Sequence, residues 1–435
     1  MPRPPHLPDE ETEMPTRESI AATLPGHAPR PAARPTPLQG IRVVDFTQFV
    51  SGPMATLVLA DMGAEVVKVE TPGKGDDFRK YPPIDAALPD RGAPFLWANR
   101  NKKSVALDLK SEAGRELAGR LIARADVVVE NFSTGVMARF GLDPERCIAD
   151  NPRLVYCSVS AYGRTGAFAD RLGFDSIVMA ESGFTSMNGY PDRDPVRCAS
   201  AVIDISTGLM AANAILGALV ARGATGRGQF VEVAMIDSAM VMTGYASMQY
   251  LMSGVERQRC ANLNMEAAPA GMFRARDALF VINCGTTAMF RQLFALIGRP
   301  DVADDPALQT ARERVQARER IEAIAQEAFV REPWAHWRDL FREAGLPAGE
   351  VRSLSQALAA PEVVDRGLVT RIPDPAGGWL PNLAPPFRYS DTPVADPVAA
   401  PALGEHTEAV LREALGLDAE AIAALRARGA FGTPA

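Results

Sequence analysis

From Ile41 onward, short apolar runs alternate with stretches whose apolar residues recur at helical spacing. Ile41, Val43, Val44 and Phe46 make a run expected of a strand buried on both faces. Met54, Leu57, Val58 and Met62 then recur three or four residues apart, which predicts a helix. Ser51 suits its N-cap, Pro53 its first turn, and Gly63 its end. Val66, Val67 and Val69 make the next strand. A strand–helix–strand of this length predicts a parallel pair with a right-handed crossover. The turn Phe49-Val50-Ser51-Gly52-Pro53 opens the helix, where a phosphate-bearing ligand could sit. The glycine fingerprint GxGxxG of dinucleotide-binding folds is missing there, so the unit could equally be pure scaffold.

The alternation continues. Ser104–Leu109 reads as a strand, Ser111–Arg124 as a helix capped by Ser111, Asp126–Glu130 as a strand ending in Asn131-Phe132, and Leu154–Ser158 as another strand. Ser206–Arg222 and Met235–Met252 read as strongly apolar helices, with a strand at Gln229–Val233 between them. Their apolarity on all sides predicts burial at a domain or subunit interface. A short two-stranded unit is expected around Gly271–Cys284, and charged helices from about Thr310 to Ala344. Pro373–Pro401 reads as an extended arm, and Leu403–Leu415 as a helix with Glu405 in its first turn. Met1 to about Pro37, rich in proline, reads as a disordered leader. The fold class is α/β with an open parallel sheet.

Composition narrows the function. A net charge of −7 disfavours a general nucleic-acid binder, so an anionic ligand must be met by a local basic cluster. The five cysteines show no CxxC pairing, which argues against structural zinc and disulfides and favours a reducing cytoplasm. No uninterrupted apolar run is expected to span a bilayer. None of the four histidines lies between Leu38 and Trp334. Histidine-based catalysis is therefore excluded within that region, and carboxylates, lysine, tyrosine, cysteine or backbone donors must serve.

Asp204 is the strongest candidate. It lies in Ala201-Val-Ile-Asp-Ile-Ser-Thr-Gly208, an aspartate inside an apolar run just before a helix. A carboxylate there must be hydrogen-bonded, shifted in protonation, or functional. The alternative is capping, by Asp204 or Ser206. Asp175 is a second carboxylate, read as a turn or cap residue. Asn131-Phe132 ends a strand at the sheet edge where α/β folds bind ligands. Lys102-Lys103, Lys110, Arg139 and Arg171 could meet phosphates or be ordinary surface cations. Glu130 and Asp45 read as strand ends.

Taken together, DFTQFVSGPMATLVLADMGAEVVKVE, NKKSVALDLKSEAG, ADVVVENFSTGVMARFGL, NPRLVYCSVSAYGRTGAFADRLGFD, the Asp204 segment with GRGQFVEVAMIDS, and LGEHT resemble the class III coenzyme A transferases. This is the CaiB/BaiF family of formyl-CoA transferase and carnitine CoA-transferase. The resemblance spans roughly Leu38 to Leu417. It implies an interlocked-ring homodimer with a large domain from 38–225 and 330–435 and a small domain at 226–329. It implies no permanently bound cofactor or metal, an acyl-CoA thioester and a small carboxylic acid as substrates, and no nucleic-acid or membrane partner. Asp204 takes the place of the nucleophilic aspartate. CoA contacts are implied for Phe49, Val50, Ser51, Leu107, Lys110, Asn131, Phe132, Arg139 and Arg171. Thr71 stands where a base-contacting arginine is frequent, with Lys74 nearby to compensate. Oxyanion donors are expected from glycine-containing turns such as Ala270-Gly271. Substrate-shaping loops are expected around Tyr162, Phe184–Tyr190 and Asn264–Phe273.

The nearest rival is an acyl-CoA racemase of the same superfamily. Those enzymes carry Gly-His-Asp, with histidine as an acid–base group. Here the motif is Gly173-Phe174-Asp175, and phenylalanine cannot transfer a proton. Transfer is therefore expected rather than racemisation.

Overall fold

The computed structural model describes residues 16–31, 33–375 and 377–432. The chain forms two compact units: residues up to 184, 198–247 and from 361 on make one, and residues 185–197 and 248–360 the other.

The larger unit is organised by six parallel strands: β1 Arg42–Asp45, β2 Glu65–Glu70, β3 Lys102–Ala106, β4 Val127–Glu130, β5 Val155–Ser160 and β6 Phe230–Ala234. Their order is β3-β2-β1-β4-β5-β6. Strand order reverses between β1 and β4, and a crevice opens at the carboxyl ends of strands flanking such a point. Val43 faces one apolar cluster with Val66, Val127 and Val129, whereas Val44 faces another with Val67, Val69 and Val128. Burial on both faces explains why these strands read as unbroken valine runs rather than as alternation. Helices Glu112–Ile122, Thr407–Leu415 and Ala419–Ala427 cover the second face. Helices Ser51–Asp61 and Val202–Thr225 (the Ser51 and Asp204 helices) cover the first.

The smaller unit contains β7 Ala270–Arg274, β8 Leu279–Asn283 and β9 Ala348–Glu350 as an antiparallel sheet. Phe273, Phe280, Phe329, Trp334, Trp337 and Phe341 pack into its core.

Several expectations are corrected. The unit boundaries differ from 225/226 and 329/330. β6 pairs in parallel with β5, which keeps that stretch in the larger unit. Helices Arg318–Phe329 and Trp334–Ala344 share the core of β7 and β8, which draws the smaller unit on to residue 360. The two-stranded unit gains β9. The Met235–Met252 helix is two helices, Met235–Met242 and Tyr245–Ser253, broken where Gly244 takes a φ of +58°. The arm contains β11 Trp379–Leu383, a hairpin partner of β10 Val369–Pro373, turned by Gly377 and Gly378. The last helix in the expected stretch starts at Thr407, leaving Glu405 outside it, because the left-handed turn at Gly404 donates its N–H to Ser104 Oγ. Of the expected leader, residues 1–15 lie outside the described residues. Beyond them Thr16 caps a helix at Arg17–Thr23, and Arg17 pairs with Asp85 at 3.0 Å.

The Asp204 helix is not an uninterrupted apolar run, since Asp204, Asn213 and Arg222 lie in it, yet with 24 residues and an 18-residue window of mean hydropathy 1.6 it is long and apolar enough to cross a membrane by length and composition alone. The apolarity has a packing cause. Ile203, Ala211, Ala212, Ile215 and Ala218 are buried, the last four against the sheet and the Ser51 helix.

A buried ionic lattice fixes the carboxyl edge of β1 and β2. Asp45 ends β1 and contacts Lys102 Nζ at 3.1 Å, and it accepts hydroxyl bonds from Thr47 at 2.5 Å and Thr56 at 2.7 Å. Burial pushes its carboxyl upward, but the ammoniums of Lys102 and Lys68 outweigh this and hold it at about 2. Lys68 Nζ meets Asp76 at 3.0 Å and donates to Thr47 O at 2.7 Å. Asp76 Oδ1 in turn accepts the N–H groups of Phe49 at 3.1 Å and Phe78 at 3.0 Å.

Removing one partner of a buried pair leaves an uncompensated charge. Asp76→Ala should therefore destabilise the chain by about 3–5 kcal/mol, read by urea denaturation. A loss below about 1 kcal/mol, the worth of an exposed pair, would mean that water reaches Lys68.

Candidate active site

The turn after β1 is built by its neighbours. Asn131, just past β4, clasps Gln48: its Oδ1 accepts the Gln48 N–H at 2.9 Å and its Nδ2 donates to Gln48 O at 2.8 Å. Phe49 follows with a φ of +65°, a left-handed conformation that costs a residue with a Cβ. Asp76 holds it there through the Phe49 N–H. Gly52 is required because a Cβ would fall 2.3 Å from Thr47 Cβ.

Ser51 is not the N-cap it was expected to be. Val50 holds that position without a side-chain cap, and Ser51 is the first helical residue. Its hydroxyl instead lies near enough to the Asp204 carboxylate to hold its basicity down. The two helices come close enough for this because of Gly208, one turn beyond Asp204. A Cβ at Gly208 would lie 2.6 Å from Ser51 O and 2.7 Å from Met54 Cβ.

Asp204 occupies the first turn of its helix, and the N-cap residue Ala201 offers no side-chain bond. Capping comes from elsewhere. Asp175 Oδ1 accepts the N–H of Ile203 at 2.9 Å and of Asp204 at 3.1 Å. Ser206, the other capping candidate, donates its hydroxyl to Ile203 O. Asp175 itself opens the helix Asp175–Glu181, directly after Phe174. Burial pushes the Asp204 carboxyl up, the Asp175 carboxylate adds to this, and the Ser51 hydroxyl opposes it, leaving it at about 7. Asp204 is thus a half-buried carboxylate with a basicity far above that of a surface aspartate. Aromatic rings gather at the turn before the Ser51 helix. Phe49 makes edge contacts with Phe174, Phe78 and Tyr81 at centroid distances of 6.1, 5.6 and 6.2 Å. Phe174 is 63% exposed.

The other expected residues come from the carboxyl ends of neighbouring strands. Lys110 is exposed after β3, and Arg139 is exposed at the end of the short helix Val136–Arg139. Leu107 lies in the core and donates its N–H to Glu70 O, so only its backbone could face a ligand. Phe132 packs on the same core. Arg171 is already engaged, paired with Glu181 and lying 4.7 Å over the Tyr162 ring. Thr71 begins a turn that accepts the Gly75 N–H, and Lys74 pairs with Asp77 at 2.9 Å. Ala270 and Gly271 begin β7 in the smaller unit.

Arg164 was missed. It pairs with Glu130 at 2.9 Å and donates to Ser158 Oγ at 2.6 Å, Phe132 O at 2.7 Å and Val159 O at 3.0 Å. It therefore ties the loops after β4 and β5 around a cleft lined by Asn131, Phe132, Thr134, Ala161 and Arg171. The signal was Glu130 itself: a glutamate ending an apolar strand is buried, and a buried carboxylate needs a cation. Asp76 was missed for the opposite reason, since the Gly-Asp-Asp stretch that holds it reads as an exposed turn.

Comparison with known proteins gives the family. The model of CoA-transferase family III matches residues 38–407. Succinyl-CoA:glutarate CoA-transferase of Mus musculus is 35% identical over 394 residues, covering 90% of each chain. Succinate–glutarate CoA-transferase of Agrobacterium fabrum is 36% identical over 387 residues, covering 87% of this chain and 96% of the relative. A crystal structure of a CaiB/BaiF family protein from Brucella suis superposes with a TM-score of 0.79 at 36% identity, covering 88% of this chain and 100% of that one. The chain belongs to CoA-transferase family III and is a CoA-transferase.

Proposed function

We propose that this transferase moves CoA from an acyl-CoA to a small carboxylic acid, with Asp204 as the covalent nucleophile. The observation that carries the reading is the placement of Asp204: half buried, raised in basicity, and relieved of capping duty by Asp175. Raised basicity makes a carboxylate a better nucleophile.

The chemistry balances without an outside energy source. The Asp204 carboxylate attacks the thioester carbonyl, forming a mixed anhydride and releasing CoA thiolate. The thiolate attacks the Asp204 carbonyl of the anhydride, giving an aspartyl-CoA thioester and the free donor acid. The acceptor carboxylate then attacks that thioester, and thiolate attack on the acceptor side of the new anhydride yields acyl-CoA and restores Asp204. Each developing oxyanion needs preorganised donors.

For CoA we assign the turn Phe49-Val50-Ser51, the backbone at Leu107, Asn131-Phe132, and the cations Lys110, Arg139 and Arg171. The uncapped start of the Ser51 helix suits an approaching anion. Both named relatives act on glutarate, so a succinyl-CoA donor with a short dicarboxylate acceptor is the first pair to assay. We also read the enzyme as a cytoplasmic, interlocked homodimer. Met240, Val241, Tyr245, Met248, Leu251 and Met252 are exposed on two consecutive helices, an apolar surface suited to a second copy.

Asp204→Ala should lower transfer at least about a thousandfold while leaving CoA binding intact. Hydroxylamine added during turnover should mark Asp204, read by mass spectrometry. A variant within tenfold of the wild-type rate, or labelling only at another residue, would remove Asp204 from the mechanism.

The reactive form is the carboxylate, so kcat/KM should rise with pH through about 7 and then level off. The same shift acts on stability in the opposite sense. The folded-state value lies above the reference value of 3.8, so the folded chain holds the extra proton between these values and stability falls as pH rises through them. Three pH units correspond to about 4 kcal/mol, and partial exposure reduces this to about 1–2 kcal/mol. Asp204→Asn should thus be inactive yet more stable than wild type at pH 8, with the gap closing by about pH 4. Urea denaturation at both pH values checks this, and equal stability at pH 8 would contradict the burial argument.

A further inference from the structure

We propose that Asp175 is a positioning residue for CoA transfer: it caps the Asp204 helix so that the Asp204 carboxylate is free to exchange its charge for a covalent bond. The inference rests on the reading of Asp204 as nucleophile and deepens it.

A helix start has orphan N–H groups, and the usual remedy is a side chain from the cap position itself. Here Ala201 holds that position and cannot serve. A carboxylate within the first turn would ordinarily take over, and Asp204 is the acid in that turn. The chain instead brings a carboxylate from another helix. Asp175 Oδ1 accepts the N–H of both Ile203 and Asp204, at 2.9 and 3.1 Å.

The covalent cycle explains what this achieves. When Asp204 becomes an anhydride or a thioester it loses its negative charge and one acceptor oxygen. Were Asp204 the cap, each turnover would strip the helix start of its partner, and the helix that carries the nucleophile would loosen at the moment of reaction. With Asp175 as cap, the Asp204 backbone stays bonded in every intermediate. The backbone N–H of the nucleophile itself is one of the two donors, so Asp175 fixes the Asp204 backbone directly. The packing around the helix start agrees. The Asp175 helix presents the charge of Asp175, the Ser51 helix presents the Ser51 hydroxyl, and Asp175 is the charged group acting on Asp204.

The two roles of Asp175, acceptor and charge, are separable in the full-length enzyme. Asp175→Asn keeps an acceptor for the two N–H groups and removes the charge. It should fold with wild-type thermal stability, retain kcat within about threefold, and move the pH midpoint of kcat/KM to lower pH, because a like charge near Asp204 is gone. Asp175→Ala removes both. Its kcat should fall more than tenfold, with CoA affinity measured by calorimetry unchanged, and Asp175→Asn restores the rate relative to it.

Three results would overturn the inference. Asp175→Asn as inactive as Asp204→Ala would make Asp175 a reacting group. An Asp175→Asn variant with the wild-type pH midpoint, or an Asp175→Ala variant with wild-type kcat, would make it a bystander. Failure of the underlying reading is distinguishable, because it shows as an active Asp204→Ala variant or as hydroxylamine labelling away from Asp204, whatever the Asp175 variants do.

Discussion

The contact on which the site depends is the backbone crossing of the Ser51 and Asp204 helices at Gly208. Both helices lie on the same face of the sheet, and each would normally stand off by the thickness of its side chains. At Gly208 there is no side chain, and any Cβ would collide with Ser51 O and Met54. The helices therefore meet almost backbone to backbone, a close approach that small residues permit. That approach lets one hydroxyl reach one carboxylate over a gap of more than a hundred residues in sequence. It also sets the burial that lifts Asp204 to about 7. Reactivity and packing are here the same constraint.

A second constraint holds the other side of this contact. The turn before Ser51 includes a phenylalanine in a left-handed conformation, which would relax if left alone. It is fixed through Asp76, which is paired with Lys68 inside the protein. Buried ion pairs add little net stability, but they are strongly directional and costly to break halfway. The lattice of Asp45, Lys102, Lys68 and Asp76 is best understood in those terms. It gives one geometry to a turn whose shape matters, and the clasp of Asn131 on Gln48 joins the turn to β4 across the point where strand order reverses. Asn131, expected as a ligand contact, has its side-chain amide committed to the scaffold of the site.

How much of this was legible in the sequence follows from the range of each interaction. Strands β1, β2 and β4 of the central sheet were read correctly because burial on both faces writes itself as near-continuous valine runs. The cap of Ser111 is local and was read correctly, since its partner Gly114 lies three residues away. Ser51 followed the same local rule and broke it, because its hydroxyl is drawn to Asp204 instead. The hairpin of β10 and β11 was hidden by proline, which signals an extended arm but is tolerated in a two-stranded unit. The single helix expected over Met235–Met252 was an error of the same kind, since one glycine in an apolar run carries no sign of its own that it will break the helix.

The site divides in a similar way. Asp204 was visible because a lone carboxylate in an apolar run calls for a reason. Asp175 was visible as a cap, but not as the cap of a helix that begins 27 residues later. No local pattern could show that, because the relation exists only once two helices have packed. Two acids of the same type thus receive different roles from their surroundings alone. One has an oxygen taken up by two backbone N–H groups, and the other is pushed toward neutrality by burial and by the first. Environments that separate two like groups in this way mark which acid reacts and which supports it. In this fold the separation is made by which oxygen reaches the helix start first.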